Sequence, residues 1–121
     1  MPKEKNYKMK SKVDHIAILV DDLSLATEWY SNKLGADVTF RDGKYTRLQV
    51  ENINIALVDK KHYAHPHFAI LVENFCDLPK NEGITVHHRD GTVGVYVKDP
   101  FGNYLEYIWY SDTQKEVFCD D

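Results

Sequence analysis

The chain has 121 residues, a formal net charge of −4, 43% hydrophobic and 28% charged residues. That length accommodates one ordinary domain, and the composition is globular rather than that of a disordered chain. No apolar run is long enough to form a membrane-spanning helix.

Residues 1–12 hold five Lys and one Glu, so the rest of the chain is more acidic than the total. An acidic body argues against nucleic acid as a partner. The basic start has no apolar stretch of the secretory type, so it is expected to be a solvated, disordered arm. Only Cys76 and Cys119 are present, without a C-x-x-C pair. The expectation is a reduced, cytoplasmic chain with two plain cysteines.

The first strand is read at His15-Ile-Ala-Ile-Leu-Val-Asp. A helix follows, with Ser24 as its cap, Leu25, Trp29 and Leu34 on the helical period, and Gly35 as its stop. Strands are predicted at 36–41, 45–50 and 53–58, separated by turn residues such as Asp42-Gly43. A second opening strand begins at His67-Phe-Ala-Ile-Leu-Val-Glu, identical to the first at five of seven positions and offset by 52 residues. The helix position after it, 75–81, contains Pro79 and is limited to about one turn. Strands at 84–89, 93–98 and 104–109 complete a second β-α-β-β-β unit. The expected organisation is an arm at 1–12, one domain at 13–110 built from modules 13–59 and 65–110, and an acidic tail at 111–121.

Three features together resemble the vicinal oxygen chelate superfamily, which includes glyoxalases, bleomycin-resistance proteins and dioxygenases. They are the opening Val13-Asp-His-Ile-Ala-Ile-Leu-Val, the second strand opening on His67, and Asp99-Pro-Phe-Gly-Asn-Tyr-Leu-Glu106. The resemblance implies an α+β fold of two βαβββ modules forming paired, antiparallel-rich sheets around a metal-binding cleft. It places His15, His67 and Glu106 at three metal-ligand positions. The fourth, on the last strand of the first module, falls on Ala56, where glyoxalase and methylmalonyl-CoA epimerase relatives carry Glu or Gln. Ala56 cannot ligate, which counts against those two activities.

The residue pattern supports the same set. Alternation puts His15 on one face with Ala17 and Leu19, and His67 with Ala69 and Leu71. A small residue two positions on leaves room beside each imidazole. Glu106 interrupts the apolar run Tyr-Leu-Glu-Tyr-Ile-Trp, an expensive place for a carboxylate unless it is paired or metal-bound. Two imidazoles and a carboxylate suit a divalent ion such as Fe(II), Mn, Ni, Co or Zn.

Around this set, Glu106 and Tyr96 are the catalytic candidates, Tyr96 through its match to a cleft tyrosine of fosfomycin-resistance relatives. Tyr45, Arg47 and Gln49 share a strand face and form a candidate substrate wall, joined by Tyr104. Only one of the adjacent His87 and His88 can face the cleft; alternation does not say which, and His88 is carried as the candidate. His62 and His65 are expected to be exposed loop residues. The implied function is a metalloenzyme of lyase, isomerase or dioxygenase type acting on a small oxygen-bearing molecule. The alternative is a metal-free, bleomycin-resistance-type binding protein with Tyr45, Tyr96, Tyr104 and Trp109 lining its pocket. The resemblance also implies a homodimer, with neither nucleic acid nor membrane as a partner.

Overall fold

A computed structural model describes residues 12–111. Residues 1–11 of the expected arm at 1–12 and most of the acidic tail, 112–121, lie outside the described residues, as does Cys119, while Lys12 belongs to the first strand. The strands are β1 (Lys12–Val20), β2 (Asp37–Arg41), β3 (Tyr45–Val50), β4 (Ile53–Asp59), β5 (His67–Leu71), β6 (Ile84–His87), β7 (Val93–Lys98) and β8 (Tyr104–Trp109). One helix, α1 (Leu23–Leu34), follows β1, and a single 3-10 turn (Phe75–Asp77) stands at the equivalent place after β5. Pro79 and the short loop before β6 leave no length for more.

The eight strands form one sheet in the order β2-β3-β4-β1-β5-β8-β7-β6. Each half is the same four-stranded unit. β1 runs parallel to β4 in the first, and β5 parallel to β8 in the second. Antiparallel pairing of β1 with β5 makes the halves continuous. The outermost strands are not paired with each other, so the sheet bends round the cleft without closing.

The α1 boundaries correct one expectation. Asp22, in an extended conformation, is the N-cap, and its Oδ1 accepts the Leu25 N–H at 3.0 Å. Ser24 therefore sits inside the first turn. Gly35, at φ 63°, closes the helix by donating to the Ser31 carbonyl. The helix packs on β3 and β4 through Thr27, whose hydroxyl donates to that of Thr46 at 3.0 Å. Leu25, Trp29 and Leu34, which mark the helical period, stay largely exposed.

Behind the second half, Trp109, Val93, Val95 and Leu78 form a buried core with Phe75 from the 3-10 turn packed on it. Each fully buried large side chain there contributes about 2–3 kcal/mol of transfer free energy. Trp109 thus belongs to the back of the sheet and not to a ligand pocket. Cys76 is disulfide-bonded, which corrects its reading as a plain thiol.

Candidate metal centre and cleft

The concave face carries the side chains that alternation assigns to it. Ala17 and Ala69, two residues beyond each histidine, are buried, while Ile16 and Phe68 point to the opposite, exposed face. The strand registers then set the centre. Ala17 lies opposite Ala56 across β1 and β4, and Ala69 lies opposite Glu106 across β5 and β8. Ala56 is therefore the register counterpart of Glu106, at the position where the superfamily resemblance expects a fourth ligand.

His15, His67 and Glu106 present donor atoms that all lie within 4.8 Å of one another. Glu106 Oε1 is 3.4 Å from His15 Nε2 and 3.3 Å from His67 Nε2. Its other oxygen, Oε2, is 2.7 Å from His88 Nε2. The carboxylate is 1% exposed, and its ion-pair partners among the described residues are these three imidazoles, with no Lys or Arg. Burial pushes the Glu106 pKa up, but hydrogen bonds from His15, His67 and His88 outweigh it and hold the group well below the usual carboxylate range.

His15 is fixed from behind. Its Nδ1 is 2.9 Å from Asp14 Oδ2, an oxygen that also accepts the Tyr110 hydroxyl at 2.7 Å. A carboxylate only accepts, so Nδ1 carries a hydrogen and Nε2 is the atom left to face the cleft. Burial disfavours charge on His15, yet the Asp14 and Glu106 hydrogen bonds prevail and raise its pKa to about 9. His67 lacks an equivalent, since its Nδ1 is buried with no hydrogen-bond partner. The donor set fits a divalent ion. Two imidazole nitrogens and a buried carboxylate oxygen converging on one point, with no Lys or Arg to pair the carboxylate, are the usual ligand chemistry for such metals.

His88 resolves the question the sequence left open. β6 ends at His87, and the chain then turns, with the His88 N–H donating to the Thr92 carbonyl at 2.9 Å. Alternation no longer applies, and His88 swings over the cleft while His87 stays exposed. Gly94 makes this possible. A Cβ there would lie 2.1 Å from Glu106 Oε2 and 2.8 Å from His88 Nε2. Neither the role of Gly94 nor the His88–Glu106 pair carries a local sequence signal; only the strand register reveals them.

The cavity around the centre has a volume of about 70 Å³. Tyr45, Arg47, Tyr96 and His88 line it with the three candidate ligands. Burial, followed by the Glu106 charge, pushes the Tyr96 pKa up, and burial with Asp90 raises that of Tyr45 to about 12. Arg47 pairs with Asp90 at 3.4 Å, and Arg89 pairs with Asp42, linking the turns at the far ends of the sheet. Two sequence-based candidates fall elsewhere. Gln49 lies at the exposed end of β3 beside Asn54, beyond the cavity. Tyr104 is not in the lining because His65 lies over it, with ring centroids 3.8 Å apart and planes 4° apart.

A family model described as Glyoxalase/Bleomycin resistance protein/Dioxygenase superfamily matches residues 12–107. The chain belongs to this superfamily. A search of curated proteins finds no match. Among solved structures, a variant of Streptomyces coelicolor methylmalonyl-CoA epimerase bound to 2-nitronate-propionyl-CoA superposes at TM-score 0.68 and 14% identity, over 88% of this chain and 99% of that one. The epimerase from Mycobacterium tuberculosis gives 0.64 and 18%, over 82% and 87%. A superfamily member from Vibrio splendidus 12B01 gives 0.60 and 10%, over 83% and 99%. At these identities the likeness establishes the shared fold and leaves the activity open.

Proposed function

We propose that the chain is a metal-dependent enzyme acting on a small oxygen-bearing molecule, with lyase, isomerase or dioxygenase chemistry, by chelation of substrate oxygens. The observation that carries this reading is the buried Glu106 carboxylate met by His15 and His67 on one oxygen and by His88 on the other. His15 Nε2, His67 Nε2 and Glu106 Oε1 would hold the ion, which could be Fe(II), Mn, Ni, Co or Zn. When bound, such an ion supplies Lewis-acid stabilisation of a developing oxyanion.

The surrounding residues have definable tasks. His88 holds Glu106 Oε2 and so turns Oε1 towards the imidazoles. Tyr96, kept protonated by burial, is a hydroxyl donor for a substrate oxygen. Tyr45 and Arg47 orient the substrate from the opposite wall. That wall has Ala56 where a second carboxylate would stand, and Ala17 and Val58 beside it are apolar. Moving a proton between two faces of one carbon requires groups on both sides, so this wall counts against epimerase chemistry.

Ile16 and Phe68 are cross-strand neighbours on the back of the sheet, 40% and 43% exposed. This apolar surface supports a homodimer as part of the reading. The expectation of a cytoplasmic setting rested on two plain cysteines, and the Cys76 disulfide removes that ground.

Metal content tests the reading, measured by inductively coupled plasma mass spectrometry on unchelated protein. The expected result is about one ion per chain in the wild type and loss of it in His15→Ala and Glu106→Gln. No metal, even after anaerobic reconstitution with Fe(II), Mn, Ni and Zn, would overturn the enzyme reading and leave the metal-free binding protein.

A further inference from the structure

A second chamber adjoins the candidate centre. Its volume is about 350 Å³, against about 70 Å³ for the cavity at the ligands. Tyr63, His67, His88, Arg89 and Tyr96 line both, so the two are neighbouring rooms sharing a wall. The chain as a whole is acidic, with a net charge of −4, yet no carboxylate lines this chamber. Its polar lining consists of Lys44, Arg89, Tyr63, Tyr96 and the imidazoles of His62, His65, His67, His87 and His88.

The placement of these groups is fixed by structure. Asp42 accepts the backbone N–H of Lys44 at 3.0 Å and of Tyr45 at 3.1 Å, and also takes the Arg89 guanidinium. One carboxylate thus fixes the turn that carries Lys44 against the end of β6. It neutralises Arg89 from outside the lining. Lys44 itself makes no salt bridge among the described residues. His65 is held flat against Tyr104. His62 pairs with Asp59 at 3.5 Å, and His67 and His88 turn their Nε2 atoms to Glu106. The Lys44 ammonium and the imidazoles of His65 and His87, which make no ion pair among the described residues, are the donors left to meet an anion.

We propose that this chamber seats an anionic group of the substrate, a carboxylate or phosphate carried away from the oxygens that meet the metal ligands. The inference rests on the cleft being a substrate site, but it does not require that a metal be bound. The substrate class it defines is a two-ended molecule with a chelating oxygen head and an acidic tail.

The test titrates the full chain, stripped with chelator, with inorganic phosphate, malonate and the uncharged malonamide. Calorimetry gives the affinities, and NMR follows the histidine ring signals. Saturable binding of phosphate or malonate that shifts His65 and His87, with no response to malonamide, is the expected result. The tighter of the two anions identifies the tail. Lys44→Ala and His87→Ala should each weaken that binding about fivefold while leaving the metal content at the wild-type level. No saturable binding of either anion, equal binding of malonamide, or unchanged affinity in both variants would overturn the inference. The two readings fail separately. Anion binding in a protein that never takes up metal sinks the metalloenzyme and keeps the chamber; metal uptake without anion binding does the reverse.

Discussion

The two modules share a backbone plan and differ in what they place on it. In each, a histidine sits on the first strand, at its start in β5 and three residues in along β1, an alanine follows two residues on, and that alanine faces the last strand of the module. There the second module has Glu106 and the first has Ala56. The next strand outwards differs too. Opposite Ala56 and Val58 stand Arg47 and Tyr45, while opposite Glu106 and Ile108 stand Tyr96 and Gly94. The second module thus supplies the carboxylate, the glycine gap and the overlying His88. The first supplies a bulkier wall with a cation and a phenol. A duplicated fold becomes an asymmetric site by changing two or three inward positions while the register stays fixed.

Gly94 is where this asymmetry breaks most easily. Gly94→Ala places a methyl into the Glu106 and His88 contact, with backbone and carboxylate both confined. Metal affinity should fall about 100-fold by chelator competition, the upper end for disturbing a ligand's outer partner. Unchanged metal affinity would mean that the His88–Glu106 contact does not hold the carboxylate in place.

The histidines of the two modules differ in what backs them. His15 has Asp14 behind it, whereas Pro66 precedes His67 and the His67 Nδ1 has no partner. Metal must displace the proton from His15, whose pKa is raised from 6.5 to about 9. Metal affinity should therefore climb as pH rises, by about tenfold per unit until roughly pH 9. The stability of the metal-free protein moves the other way. A raised histidine pKa stabilises the fold fully below 6.5, and that contribution is lost as pH rises through about 9. Chemical denaturation of stripped protein across this range measures the loss, on the order of 3 kcal/mol. Asp14→Asn should flatten both slopes, and a profile indifferent to Asp14 would remove it from this role.

These contrasts also show what the sequence carried. The repeated strand openings, the two β-α-β-β-β units and the trio of His15, His67 and Glu106 were legible, because period-two alternation and duplication survive in one dimension. The missing fourth ligand at Ala56 was legible only through the resemblance to the superfamily. What could not be read depends on contacts between distant segments. Arg89 meets Asp42 across 47 residues, and Arg47 meets Asp90 across 43. His88 lies just past a strand end, where alternation stops giving directions. Gln49 sits on the predicted face but too far along it, since periodicity fixes a face and not a depth. Leu25, Trp29 and Leu34 have helical spacing, yet the helix meets the sheet through Thr27.

That helix gives a contrast of packing. Thr46 is the register counterpart of Val95, and both are fully buried behind the sheet. Val95 meets an apolar core, whereas Thr46 bonds to Thr27. Thr46→Val should cost about 1–2 kcal/mol, because it strands the buried Thr27 hydroxyl. The double variant with Thr27→Val should recover most of that, since two methyls then face each other. Urea denaturation of the single and double variants checks the difference. A double variant as unstable as the single one would show that the loss comes from shape and not from the hydrogen bond.

The smallest effect belongs to the helix starts. Asp22 caps α1 through its side chain, while Asn74, at the same place before the 3-10 turn, makes no side-chain cap bond. Asp22→Ala should lower stability by about 1 kcal/mol. Asn74→Ala should stay within about 0.5 kcal/mol, as expected of a surface change that removes no cap. Thermal denaturation of both variants resolves the pair. Equal losses would mean that the short turn relies on its first residue as much as the long helix does. The shortness of the second connection would then reflect Pro79 and the loop, and not a weaker start.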